Sequence, residues 1–187
     1  MRVSSIDSGV YLSTLEREDA ETLQSIGNDP EIAHNSPSIP YPYKLEQAVL
    51  LVEVAAQKYI SREEFHLGIR LPGNELIGLC ALSSIDYANK KAELGYWLAR
   101  KQWGRGYAKE AIELILGFGY GKLGLNRIYA KVLTTNERSI GLLGSLGFSE
   151  EGIHRQEVFR DGAFFDDISY SLLKKEHRER YKIVVEE

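Results

Sequence analysis

The segment Trp103-Gly104-Arg105-Gly106-Tyr107-Ala108-Lys109-Glu110 follows an apolar run ending at Leu98 and opens a helical pattern. Two glycines there let the backbone approach a ligand with no Cβ in the way. The free N–H groups of a first helical turn would face that ligand, with the positive end of the helix dipole behind them. A pyrophosphate is the anion such a turn accommodates best, and Arg105 and Lys109 add charge nearby. A plain tight strand-to-helix turn would use the same two glycines, so alone they leave both readings open. A dinucleotide fingerprint needs a third glycine where Lys109 stands. A Walker loop needs Gly-Lys-Ser/Thr, whereas Gly121-Lys122 is followed by Leu123. The literal G-x-G-x-x-G at Gly119, Gly121 and Gly124 runs from helix to strand, the reverse of the required context.

Other reactive side chains are sparse. The single cysteine, Cys80, excludes an internal disulfide and sits in an apolar strand pattern, which reads as core. His34, His66, His154 and His177 lack ligand spacing, so no metal is expected. The net charge of -4 argues against a polybasic nucleic-acid or membrane binder. The N-terminal MRVSSIDSGV has no apolar stretch of signal-peptide length, and no run approaches the roughly 18 residues of a spanning helix. A cytoplasmic protein is expected.

The elements that must position these residues are legible in order. With 187 residues, 43% of them hydrophobic, a single domain over 1–187 with a sizeable core is expected. Val10 to Leu15 alternates like a strand, and a helix follows from Leu15 to Gly27. Four of the five prolines fall between Asn28 and Pro42, predicting an irregular loop. A helix over Leu45 to Ile60 precedes an antiparallel hairpin turning at Pro72-Gly73-Asn74. Next come a strand (Lys91 to Leu98), a helix (Arg105 to Tyr120) and a strand (Asn126 to Leu133). A helix capped by Asn136 and ended by Gly147 follows. Two last strands turn at Asp161-Gly162, and the charged tail, 174–187, reads as a terminal helix. Strand, helix, strand across Lys91 to Leu133 implies one parallel, right-handed crossover in a mostly antiparallel sheet. The fold class is mixed α/β (α+β), neither doubly wound nor a barrel. Ten of the 17 glycines lie between Gly104 and Gly152. Gly117, Gly119 and Gly121 have no evident reason, since each costs up to about 1 kcal/mol in a helix.

AELGYWL, WGRGYAKEA and TNERSIGLLGSLGF, in this order and spacing, resemble the GNAT superfamily of acetyl-CoA-dependent N-acetyltransferases, and within it the RimJ/RimL branch that acetylates ribosomal protein N-termini. The resemblance runs from about Val10 to Leu173. Gly106 and Ala108 match the family's Arg/Gln-x-x-Gly-x-Gly/Ala motif, with Trp103 in the first position. It implies a seven-stranded sheet with helices on both faces, whose central parallel pair splays to admit the pantetheine arm. It implies acetyl-CoA as co-substrate, its arm paired with backbone near Trp97 and Leu98. The pyrophosphate would be held by N–H groups from Gly104 through Arg105, Gly106, Tyr107 and Ala108 to Lys109. Asn136 and Ser139 would face the pantetheine and thioester, with Ser139 protonating the departing sulfur; capping of backbone N–H groups is its local alternative.

By the same resemblance Glu93 is the first choice for general base. Some RimL-type enzymes use a glutamate on the strand after the last helix, a position that here is Val158. Glu157, one residue away, would face the other side of the strand unless a bulge intervenes. An α-amine with pKa near 8 is on the order of a tenth neutral at pH 7, a lysine below about a thousandth. Weak evidence for a base thus tilts the acceptor toward a protein N-terminus, with a small amine such as a polyamine or aminoglycoside as the alternative. A non-catalytic CoA-binding module is the reading from another class. Neither nucleic acid nor membrane is an expected partner, and a homodimer is left open.

Overall fold

The computed structural model describes residues 1–186. Nine strands form one sheet in the order β7-β8-β6-β5-β4-β3-β2-β1-β9. They are β1 (Arg2–Ser4), β2 (Tyr11–Thr14), β3 (Phe65–Arg70), β4 (Leu76–Asp86), β5 (Lys91–Leu98), β6 (Arg127–Leu133), β7 (Ser149–Arg160), β8 (Ala163–Leu173) and β9 (Val184–Glu186). Five helices accompany them: α1 (Asp19–Gly27), α2 (Pro30–Asn35), α3 (Leu45–Ser61), α4 (Tyr107–Gly121) and α5 (Glu137–Ser145). Every neighbouring pair is antiparallel except β5–β6. The mixed α/β fold with one parallel crossover is as the sequence predicts.

That parallel pair positions the site. Register holds only at Lys91–Arg127, Ala92–Ile128 and Glu93–Tyr129. Beyond Glu93 the strands part, although β5 continues to Leu98 and β6 to Leu133. Their facing backbone groups are left without a sheet partner, an open edge that an extended ligand can complete.

Helices cover both faces. On one, α4 lies against the sheet with Ile112, Leu114, Ile115 and Leu116 fully buried. Side chains of this size contribute about 1.5–3 kcal/mol each on burial. On the other, α1, α2 and α3 enclose Leu23, Ile32, Ala48 and Val52 against Leu79, Ala81 and Trp97. The helix α4 can lie so close because Gly119 faces the sheet. A Cβ there would stand 2.9 Å from Ile128 Cδ1 and 3.1 Å from Leu82 Cδ1. Gly117 similarly makes room for Ile183 of the tail; nothing around Gly121 requires a glycine.

The structure differs from the sequence reading at three places. The sheet has nine strands instead of seven, because β1 and β9 extend its far edge. The tail is not a helix: Val184, Val185 and Glu186 pair with Ser4, Val3 and Arg2, and Ile183-Val184-Val185 is β-branched, which suits a strand. Residue 187 lies outside the described residues. The proline-rich stretch contains α2, started by Asp29, whose carboxylate accepts from the N–H groups of Glu31 (2.9 Å) and Ile32 (3.4 Å) with Pro30 in the first turn. Boundaries also move, as α1 begins at Asp19 and α4 at Tyr107.

Candidate active site

Two cavities meet at the splay. The first, about 540 Å³, is lined by Trp97 and Leu98 on β5, the turn into α4 and the start of α5. The turn is built as its glycines require: Gly104 has φ +74° and Gly106 φ +84°, a left-handed geometry that side chains disfavour. Gly106 is the N-cap of α4, and no side chain caps the helix. The first-turn N–H groups are therefore offered to the cavity, which Gly104, Gly106, Tyr107, Ala108 and Lys109 border. Arg105 is exposed on the turn and is not part of that lining. Lys109 directs its ammonium to the carbonyl and hydroxyl of Ser145, each at 3.2 Å.

The Trp103 ring braces the mouth of this cavity. Its Nε1 donates to the Leu98 carbonyl at 2.8 Å. The guanidinium of Arg138 lies 4.5 Å from the ring centroid and that of Arg100 5.3 Å. Both cations reach back to α2: Arg100 to Asp29 (2.6 Å) and Glu31 (2.7 Å), Arg138 to Glu31. The hydrogen bond from Arg100 holds the Asp29 carboxyl below its ordinary pKa.

The second cavity, about 580 Å³, spreads over the face covered by α1–α3 and holds Glu93. Glu93 lies at the last paired position, against Tyr129, whose pKa is raised by burial and by the Glu93 charge. Lys131 stands two residues along β6. Burial works against its charge, but the Glu157 hydrogen bond and the charges of Asp167, Glu157 and Glu93 prevail and raise its pKa. Glu157 is not on the wrong face. Residues 155–157 of β7 oppose Asp166 alone on β8, a bulge in which Gln156 takes φ +55°. The bulge turns Glu157 into the groove, 3.4 Å from Lys131 Nζ.

Six residues border both cavities: Asn35, Ser36, Tyr96, Trp97, Asn136 and Ser139. The Asn136 side chain accepts from the Ser139 N–H at 3.2 Å, so Asn136 is the cap and the Ser139 hydroxyl is not needed for it. Tyr96 is a member the sequence reading missed, although strand alternation places it at the splay. Its hydroxyl is buried beside Ser139, yet among the described residues it makes no hydrogen bond. Burial is the main cause of a pKa pushed up to about 12, with Ser139 pulling the other way. Such a phenol stays protonated at neutral pH and keeps a donor aimed at whatever fills the cavities. Tyr96→Phe removes an unsatisfied buried group, so the unliganded protein should be as stable or about 1 kcal/mol more stable. Turnover in the same variant should fall about tenfold; thermal unfolding and steady-state rates check the pair of effects.

Cys80 is fully buried in the sheet, and burial pushes its thiol pKa far up. Native protein should resist iodoacetamide at pH 8, where an exposed cysteine is about a quarter thiolate, and be alkylated on unfolding; mass spectrometry reads the difference. Each histidine is beside a carboxylate: His34–Asp161 (3.6 Å), His66–Glu64 (2.7 Å), His154–Asp167 (2.6 Å) and His177–Glu113 (3.2 Å). Among the described residues no group of three or more histidine, cysteine, aspartate or glutamate side chains is placed to hold a metal ion. No helix among them is long and apolar enough to cross a membrane.

Residues 10–149 match the acetyltransferase (GNAT) domain family. The chain is 35% identical over 167 residues to an uncharacterized N-acetyltransferase, p20, of Bacillus licheniformis, covering 89% of this chain and 93% of that one. It is 29% identical over 179 residues to the putative ribosomal N-acetyltransferase YdaF of Bacillus subtilis, covering 91% and 94%. A solved spermidine N-acetyltransferase from Vibrio cholerae, in complex with CoA and spermine, superposes with a TM-score of 0.81 at 26% identity, covering 91% and 98%.

Proposed function

Since this chain belongs to the GNAT family and is an acetyl-CoA-dependent N-acetyltransferase, we propose that its acceptor is the N-terminal α-amine of a protein, ribosomal proteins foremost. The carrying observation is Lys131. Its ammonium already occupies the acidic floor between Glu93, Glu157 and Asp167. A polyamine's second ammonium would meet that fixed charge, whereas a peptide terminus brings only one. An α-amine also makes the smaller demand on a base. The likeness to a putative ribosomal N-acetyltransferase points the same way.

In this reading the open edge of β5 near Trp97 and Leu98 pairs with the pantetheine arm, and N–H groups from Gly104 to Lys109 hold the pyrophosphate. Glu93, directly or through water, takes the amine proton. The amine then attacks the thioester carbonyl carbon, and a backbone N–H near Leu98 receives the developing oxyanion. As the carbon–sulfur bond breaks, the proton still carried by the attacking nitrogen passes to the sulfur through the Ser139 hydroxyl, which gives up its own proton and regains this one, with the Tyr96 hydroxyl as a second donor beside it.

The alternative acceptor is a polyamine. Four carboxylates, Glu64, Glu93, Glu157 and Asp167, line the second cavity, and the Vibrio cholerae structure contains spermine. Rates of acetyl transfer to N-terminal peptides, spermidine and an aminoglycoside decide between them. The proposal expects kcat/KM at least tenfold higher for a peptide; a preference for spermidine overturns it. Thermal stabilisation by CoA with no transfer to any amine would favour a binding module.

A further inference from the structure

We propose that Arg160 is a positioning residue for the acceptor: it staples the segment after α2 across the acceptor cavity and so fixes one wall against which the amine is placed. Arg160 is the last residue of β7, beside the Asp161-Gly162 turn. Its guanidinium reaches more than 120 positions back in the chain. One nitrogen donates to the carbonyls of Ala33, His34 (3.0 Å) and Ser36 (3.2 Å), the other to those of Pro37 (3.4 Å) and Ile39 (2.9 Å). The two terminal nitrogens carry four N–H groups for five carbonyls, so one is shared, and no other side chain offers as many in a rigid fork.

What is stapled is a roof. Asn35, Ser36, Pro37 and Ser38 line the acceptor cavity from above the splay, and Glu157 and Val158 line it from the hairpin. The end of that hairpin joins the two banks. His34 strengthens the same junction, 3.6 Å from Asp161 and edge-on to Phe165 at 5.2 Å. Ile39 anchors one end of the roof in the core, but its backbone is sparsely bonded, since Pro37 and Pro40 donate no hydrogen bond. Two of its few internal bonds, Ser36 N–H to Ala33 and Ile39 N–H to Ser36, end on carbonyls that Arg160 also holds.

The inference rests on the acetyltransfer reading for its consequence but not for its geometry, and the test separates the two. Hydrogen exchange on the free protein is followed for Ser36 and Ile39 in wild type, Arg160→Ala and Arg160→Lys. Kinetics are then read with the acceptor the wild type uses best. Arg160→Ala should speed exchange at both amides at least tenfold and raise acceptor KM about tenfold, leaving kcat and the KM for acetyl-CoA within twofold. Arg160→Lys, which keeps the charge and should fold even if the alanine variant does not, should fall between. Unchanged exchange overturns the staple. Faster exchange with unchanged acceptor KM leaves Arg160 a structural tie and overturns the positioning role. If no amine is acetylated by any form, the acetyltransfer reading fails, and the exchange data alone decide the staple.

Discussion

Glu93→Gln should lower kcat about 100-fold at pH 7 with an N-terminal peptide as acceptor, leaving the KM for acetyl-CoA unchanged. A positioned base contributes about 10²- to 10⁴-fold. The low end applies because roughly a tenth of α-amines are already neutral at that pH. The deficit should therefore shrink as pH rises toward 9, where the amine needs no help in losing its proton. Glu93 suits the task because it stands where β5 and β6 cease to pair, at the apex of the opening. Glu157 is the internal control. It is held by Lys131, so Glu157→Gln should cost less than about fivefold, far below what a positioned base contributes. A reversed order of losses in pH-rate profiles would assign the base role to Glu157, and equal small losses would remove both.

Gly78→Ala should be the most damaging single methyl in the molecule. Gly78 on β4 lies opposite Leu98 on β5, and a Cβ there would stand 2.3 Å from the Trp97 carbonyl oxygen and 3.0 Å from Leu98 Cα. Both are backbone atoms and cannot swing aside as a side chain can. Overpacking of this kind costs about 3 kcal/mol, the top of its ordinary range. For a domain of this size the melting temperature should drop by about 6–12 °C. Because the displaced atoms belong to the strand edge assigned to the pantetheine arm, affinity for CoA should weaken as well, by about tenfold in calorimetric titration. A variant that melts like wild type would show that β5 has room to retreat.

How much of this was legible beforehand follows from where the determinants lie. The strand-to-helix turn at 103–108 is local: two glycines and a following helical pattern suffice, and the positive φ values at Gly104 and Gly106 match that reading. Asn136 as cap of α5 is equally local. The seven-strand expectation failed because β1 and β9 are three-residue strands that exist only by pairing with each other and with β2. Helix α2 was hidden by surrounding prolines, although Asp29-Pro30 is itself a start signal. Glu157 was unreadable for a different reason. Strand parity fails at a bulge, and the bulge depends on Asp166 accepting the Gln156 N–H at 2.7 Å across the hairpin. Tyr96 could be placed on a face but not known to lack a partner until its surroundings were known. The staple by Arg160 joins positions over 120 residues apart, which no local pattern encodes.

The common wall between the two cavities also governs traffic. In the proposed reading acetyl donor and amine occupy separate chambers, which among the described residues share the lining of Asn35, Ser36, Tyr96, Trp97, Asn136 and Ser139. Neither molecule need pass the other, so either can arrive first and both can be resident together. The hydroxyls in that partition, on Ser139 and Tyr96, are the ones assigned to the departing sulfur, and the lone thiol is sealed in the sheet. In the proposed mechanism the acetyl group therefore crosses in a single hand-over through a gap in the sheet.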